Sequence, residues 1–180
     1  MQASEKVAFG GGCFWCTEAV FLELKGVIEI TPGYAGGKDP HPTYESVSSG
    51  ATGHAEVIQI VYDPAIISFS TLLGVFFVSH DPTTLNRQGN DVGTQYRSIL
   101  LYTTEDQKNE AEGRIKELTE SKRFAKPIVT ELAPLSNFYP AEEYHKAYYQ
   151  KHPDEGYSEY VIAPKVEKIR REHPELLRKQ

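Results

Sequence analysis

The chain is poor in the residues that would assign it to several large classes. It has two cysteines, Cys13 and Cys16, in 180 residues, so no disulfide framework can tie distant parts of it together. It has one tryptophan and one methionine. With Met1 as the sole methionine, the body of the chain holds no thioether for an oxidant to attack. Long apolar runs are missing too. The most apolar stretch, Leu72 to Val78, is broken by Gly74 and is far too short to span a bilayer. The opening Met-Gln-Ala-Ser-Glu-Lys leads into no sustained apolar segment of the kind an export signal needs. These absences predict a cytoplasmic protein without membrane association. Basic charge is also in deficit: 19 Lys plus Arg stand against 25 Asp plus Glu, a net charge of −6. That balance argues against general binding to nucleic-acid phosphates. The last sixteen residues run the other way, with six basic and three acidic side chains, and read as a charged terminal helix.

What is present is an ordinary globular composition, 39% hydrophobic and 24% charged, at a length that suits one domain with a substantial core. No repeat or linker divides it. The expected unit is a single domain over residues 1–180, with a core of about 6–140 and a helical C-terminal extension of about 141–180. Val7 to Phe9 reads as a short buried strand ending in Gly10-Gly11-Gly12. A helix is expected from near Cys13 through Leu24, stopped by Gly26. Val27 to Tyr34 is strand-like, but Pro32 suggests an irregular or edge position. Residues 35–53 are turn-rich, Ala55 to Tyr62 is a strong strand, and Ser68 or Ser70 caps a helix ending near His80. Residues 81–96 form a long polar segment, a length often reserved for function. A strand (98–102), a charged helix (104–121), a further strand (128–132), a Tyr-rich helix beyond Pro140 and a basic helix after Pro164 complete the order. This βαββαβαβ alternation predicts an α/β (α+β) two-layer sandwich, with helices packed on a mixed sheet.

Cys13-Phe14-Trp15-Cys16 lies where a glycine turn leads from strand to helix. Unpaired amides and the positive end of the helix dipole lower a cysteine pKa there. Cys13, nearest the helix start, gains most and is the expected nucleophile. Cys16 is one turn on, within reach of a disulfide after modest rearrangement. Two plainer readings compete with redox chemistry: a pair of buried cysteines acting as small hydrophobes, and a zinc site. The second lacks ligands, because His41, His54 and His80 come without a second C-x-x-C or an H-x-x-x-H; no metal is expected. Phe14 and Trp15 build an apolar wall beside the thiol and suit a pocket for a small apolar group.

In Ala55 to Tyr62, one parity is Glu56, Ile58, Ile60 and Tyr62. Strand side chains alternate faces, so Glu56 shares its face with two isoleucines. A partly desolvated carboxyl has a raised pKa and stays protonated near neutrality, ready to act as a proton donor. A thiolate, an aromatic pocket and a protonated carboxyl together suit attack on an electrophilic sulfur whose oxygen must be protonated to leave.

The residues that carry these features resemble the methionine sulfoxide reductases of the A type. The matching segments are Gly11-Gly12-Cys13-Phe14-Trp15-Cys16-Thr17-Glu18, Gly33-Tyr34-Ala35-Gly36-Gly37, Pro42-Thr43-Tyr44, Gly53-His54-Ala55-Glu56, His80-Asp81-Pro82-Thr83 and Gly89 to Arg97. They keep their order over most of the chain, from about residue 6 to Val161-Ile162-Ala163-Pro164-Lys165. The resemblance implies a ferredoxin-like sandwich and a peptide-methionine (S)-S-oxide reductase acting on free or protein-bound substrate. It implies that Cys13 attacks sulfur and becomes a sulfenic acid, that Phe14 and Trp15 hold the methyl group, and that Glu56 protonates the oxygen. It further gives Tyr44 and Tyr96 hydrogen bonds to that oxygen, Asp91 a contact to the substrate or an orienting role, and Tyr157 a place closing the pocket. Members of the family often recycle through a cysteine near the C-terminus. Here Ser158 stands after Tyr157 and no cysteine follows Cys16, so Cys16 is the only internal resolving candidate. The implied product is a Cys13–Cys16 disulfide, reduced by thioredoxin or, in vitro, by dithiothreitol, in a monomer with no bound cofactor and no nucleic-acid partner. A general C-x-x-C dithiol–disulfide oxidoreductase, indifferent to Glu56, and a non-catalytic reader of oxidised methionine are the alternatives.

Overall fold

The computed structural model describes residues 3–179. Along the chain lie β1 (Glu5–Gly11), α1 (Phe14–Leu22), β2 (Val27–Ala35), α2 (Tyr44–Ser48), β3 (Ala55–Tyr62) and α3 (Phe69–Ser79). A small hairpin follows, β4 (Arg87–Gln88) and β5 (Asp91–Val92), then β6 (Ser98–Tyr102), α4 (Glu105–Glu120), β7 (Glu131–Pro134) and β8 (Phe138–Pro140). The last part holds α5 (Tyr148–Lys151), a π-helical turn (Ser158–Ile162) and α6 (Ala163–Glu172). Local chemistry starts two of the longer helices: Ser68 accepts a hydrogen bond from the Thr71 amide at the head of α3, and Thr104 accepts one from Gln107 at the head of α4.

Six strands form one sheet in the order β7-β6-β1-β3-β2-β8. All neighbours are antiparallel except β6 and β7. The path β1-α1-β2-β3-α3-β6 with central strand order β6-β1-β3-β2 is the interleaved pair of split β-α-β units of a ferredoxin-like sheet. The two faces differ in depth. Phe9, Ile30, Ile58, Ile60, Tyr62 and Leu100 meet α1, α3 and α6 in the main core, where Phe9 stacks on Phe76 at 4.7 Å. Ala8, Ala35, Ala55, Val57, Ile99 and Leu101 face the other way, under Leu135 and Phe138. Glu56 belongs to the parity that faces the helices.

Several elements differ from expectation, each for a local reason. β2 is internal to the sheet despite Pro32. The Pro32 carbonyl accepts from Ala141, on the β8 side, and the β8 ladder begins only at Gly33; the missing N–H therefore costs no ladder bond. The turn-rich 35–53 region contains α2, which a reciprocal Thr43–Ser46 capping box initiates. The strand expected at 128–132 starts at Glu131, as β7, because Val129 donates to the Pro82 carbonyl instead of joining the sheet. The Tyr-rich segment just beyond Pro140 forms no long helix: Ala147 adopts φ 54, and between residues 141 and 152 only a 3-10 turn (Glu143–His145) and the four residues of α5 are helical.

The C-terminal segment returns to the first helix. Leu177 bridges Leu24, Arg178 donates to the Glu23 carbonyl, and Arg170 grips the Glu23 carboxylate with two bonds of 2.8 and 3.0 Å. Ile162, Val166 and Ile169 are fully buried in the main core. No helix among the described residues is long and apolar enough to cross a membrane.

Candidate active site

The site begins at the end of β1. A Cβ on Gly10 would stand 2.6 Å from Ile99 and 2.9 Å from the Glu56 carbonyl, so β1 and β3 approach here only because that side chain is absent. Gly12, at φ +97, turns the chain so that Cys13 becomes the N-cap of α1, without any side-chain cap of its own. An uncapped helix start leaves amides to be claimed from elsewhere. The Phe14 amide donates to Glu56 Oε1 at 3.2 Å. Glu56 is 1% exposed, and its second oxygen, Oε2, has no partner. Burial pushes the carboxyl up to about 8, against the opposing pull of the Phe14 N–H and the Cys13 thiol. With Oε1 occupied as an acceptor, the proton belongs on Oε2.

The helix start does not make Cys13 acidic, contrary to expectation. Burial, then the Glu56 and Cys16 charges, push its thiol well above the ordinary value, and the backbone amide of Trp15 and the Tyr157 hydroxyl offset them only in part. Desolvation outweighs the dipole. The Cys16 thiol is also raised, chiefly by burial, with Lys165 as the main opposing influence. Both thiols are free. Tyr157 bridges this part of the site: its hydroxyl lies 3.6 Å from Cys16 Sγ and donates to Asp91 Oδ2 at 2.7 Å. Asp91 reaches it from β5, so the long polar segment is a hairpin that presents a carboxylate rather than an unbroken loop. Cys13, Cys16, Asp91, Tyr157 and Lys165 line one cavity of about 320 Å³.

The rings of Phe14, Trp15, Tyr44 and Tyr148 pack beside this cavity without lining it. Trp15 stacks on Tyr148 at 3.6 Å with 4° between the planes and meets Tyr157 edge-on at 5.9 Å. Its indole N–H donates to His145 Nδ1 at 3.0 Å. Phe14 is fully buried, between Tyr34, Tyr44 and His145. Glu142 ties these elements together, accepting from the Tyr34 hydroxyl and the Tyr44 amide at 3.1 Å each. The Tyr44 hydroxyl is pushed up to about 12 by burial and then by the Glu56 and Cys13 charges. Burial and the same two charges also raise Tyr96. Both hydroxyls therefore stay protonated and can donate hydrogen bonds.

The structure thus brings Cys13, Phe14, Trp15, Cys16, Tyr44, Glu56, Asp91, Tyr96 and Tyr157 into one region, with Cys13, Cys16, Asp91 and Tyr157 on the cavity wall and Phe14 deepest in the core. Of the three histidines weighed as zinc ligands, two have other partners: His54 accepts from the Gly37 amide and meets the Asp39 carbonyl, and His80 spans the Phe76 carbonyl and the Ser98 hydroxyl; His41 is exposed on the surface. Among the described residues no group of three or more His, Cys, Asp or Glu is arranged to hold a metal ion. Sequence reasoning missed Glu142, His145, Tyr148 and Lys165. The density of tyrosines after Pro140 was the only signal for that segment, and it reads equally well as surface helix.

The family model for peptide methionine sulfoxide reductase matches residues 5–177. The MsrA of Saccharolobus solfataricus is 56% identical over 171 residues, covering 95% of this chain and 96% of that one. Among solved structures, Mxr1 from Saccharomyces cerevisiae in reduced form superposes with a TM-score of 0.80 at 36% identity, over 84% of this chain and 87% of that chain. Mxr1 from the same yeast in complex with Trx2 matches with a TM-score of 0.58 at 27% identity, over 81% and 84% of the two chains.

Proposed function

The chain belongs to the peptide methionine sulfoxide reductase family, and from that premise we propose that it reduces methionine-(S)-sulfoxide, free or within proteins, to methionine. The observation that carries the reading is the unpartnered Oε2 of a buried, protonated Glu56 in the same site as the Cys13 thiol. Cys13, as thiolate, forms a bond to the sulfoxide sulfur while Glu56 delivers its proton to the oxygen. The hydroxyl then passes to the Cys13 sulfur as the S–O bond and the new S–S bond break, giving a sulfenic acid and the thioether. Two electrons leave the thiol and reduce the sulfoxide. Because the Glu56 charge raises the Cys13 pKa, a protonated Glu56 favours both the nucleophile and the acid. Tyr44 and Tyr96 donate hydrogen bonds to the oxygen, Trp15 holds the methyl group with the fully buried Phe14 backing it from the core, and Asp91 and Tyr157 orient the site from the cavity side.

Cys16 then attacks the Cys13 sulfenic acid, releasing water and leaving a Cys13–Cys16 disulfide. Thioredoxin reduces that disulfide by thiol exchange, a role supported by the Trx2 complex of a structural neighbour. The setting is the cytoplasm, where free thiols persist, and the role is repair of oxidised proteins under oxidative stress. One copy carries every site residue, so a monomer suffices, and residues 141–179 belong to the same catalytic domain because they complete its site. A single turnover without reductant tests the reading with each epimer of N-acetyl methionine sulfoxide. One methionine per chain from the S epimer with loss of both thiols is expected. No methionine from either epimer with thiols intact would reject it. In Cys16→Ser the first methionine should form and thioredoxin-driven cycling should collapse; full cycling would reject the resolving step.

A further inference from the structure

Beside the active-site cavity lies a second, larger one of about 710 Å³, within the size range of ligand sites. The two share Gln88, Pro164 and Lys165 as a common wall, so a chain leaving the first can enter the second. Its walls are cationic. Lys165 and Lys168 project from one face of α6, three positions apart, and Arg123 and Lys126 approach from the turn after α4. This concentration is not a by-product of composition, because the whole chain carries −6.

Arg123, Lys126 and Lys165 form no ion pair among the described residues, and Lys168 donates only to the Val78 carbonyl. Neighbouring carboxylates are engaged elsewhere: Glu167 with Arg170 and Glu120 with Lys116. Asp81 is the one carboxylate lining the cavity. It accepts from the Thr83 amide and hydroxyl and lies in the field of Lys126, so it offsets one of the four cations in part. Arg123 lies 5.6 Å from the centre of the Phe124 ring, which limits its wandering.

We propose that this cleft is a subsite for an acidic stretch of the polypeptide that carries the oxidised methionine. The sulfoxide sits at Cys13, and Asp or Glu residues a few positions away along the same chain pair with Arg123, Lys126, Lys165 and Lys168. The inference rests on the reductase reading. It adds substrate selection by charge, which a free amino acid cannot exploit.

The test compares two peptides that each carry one methionine-(S)-sulfoxide, one flanked by Asp and Glu and the other by Asn and Gln, in versions with the flank on either side. Turnover is driven by dithiothreitol, so thioredoxin is absent. Each exposed pair contributes modestly, and two or three of them predict a KM about fivefold lower for one acidic peptide at low salt. Screening should close the gap at about 0.5 M salt. The double variant Arg123→Gln, Lys126→Gln should lose the preference while N-acetyl methionine sulfoxide turns over as before. Equal KM values for acidic and neutral peptides, or a preference that survives in the double variant, would overturn the subsite. So would a variant defect confined to thioredoxin-driven cycling, which would make the cleft a reductant dock. Failure of the reductase reading is distinguishable, because then no peptide and no free substrate would be reduced.

Discussion

Replacing Glu56 by Gln separates proton donation from every other duty of that side chain. Gln keeps the volume, and its carbonyl oxygen can still accept the Phe14 amide that Glu56 accepts at 3.2 Å. It replaces the unpartnered Oε2 with an amide that cannot give up a proton. With the carboxyl pushed up to about 8, about 90% of wild-type molecules hold the proton at pH 7. The variant loses general-acid catalysis, a factor of about 10²–10⁴, while substrate binding changes little. The wild-type rate should climb with pH as the Cys13 thiolate forms and level off above pH ~8 as Glu56 ionises, and the variant should keep climbing through that point. The assay is quenched-flow release of methionine from N-acetyl methionine-(S)-sulfoxide in a single turnover, from pH 6 to 9.5, with near-UV circular dichroism as the check on folding. A variant rate within threefold of wild type at pH 7, or a Glu56→Gln profile that levels off at the same pH, would refute the reasoning.

Three further outcomes follow from the same geometry. The folded state raises the Glu56 pKa, so it binds that proton more tightly than the unfolded chain does; the resulting stability is full below the unfolded value near 4.5 and is lost as pH rises toward about 8. Denaturant titrations should show Glu56→Gln gaining on wild type across that window, by up to about 1.4 kcal/mol per pH unit; parallel curves would contradict the assignment. His145→Leu leaves the indole N–H of Trp15 without its 3.0 Å acceptor. It should cost about 1–3 kcal/mol, shift the emission of the chain's one tryptophan and raise KM, and an unchanged spectrum would argue that the bond is not populated. Gly12→Ala places a Cβ at φ +97 and 2.7 Å from Gln88; strain of about 1–2 kcal/mol should lower the denaturation midpoint and slow methionine formation, and wild-type behaviour in both would show that the turn relaxes freely.

Much of the fold could be read from local pattern. The alternation in Ala55–Tyr62 predicted both the strand and the face on which Glu56 lies, because side-chain parity follows from backbone geometry alone. Thr104 marked one helix start and Ser68 or Ser70 another, with the structure selecting Ser68, since a hydroxyl that satisfies a free amide is a local interaction. The segment after Pro140 was not legible. Its path depends on distant partners: His145 finds Trp15 across 130 positions and Tyr157 finds Cys16 across 141. No periodicity within residues 141–160 encodes such contacts.

The acidity of the thiols shows the same division. Placing Cys13 at a helix start is a local fact, and from it alone a lowered pKa follows. The fold then buries that thiol beside Glu56, and desolvation, reinforced by Glu56 only when its carboxyl is ionised, reverses the sign. The sequence by itself determined which groups are present, their order, and the strand and helix that carry Cys13 and Glu56, because these depend on neighbours a few residues apart. Only the tertiary structure decided how deeply Glu56 and Cys13 are buried, that Asp91 reaches Tyr157, and that the basic last helix lines a cleft beside the active site. Burial and long-range proximity are properties of the packed chain.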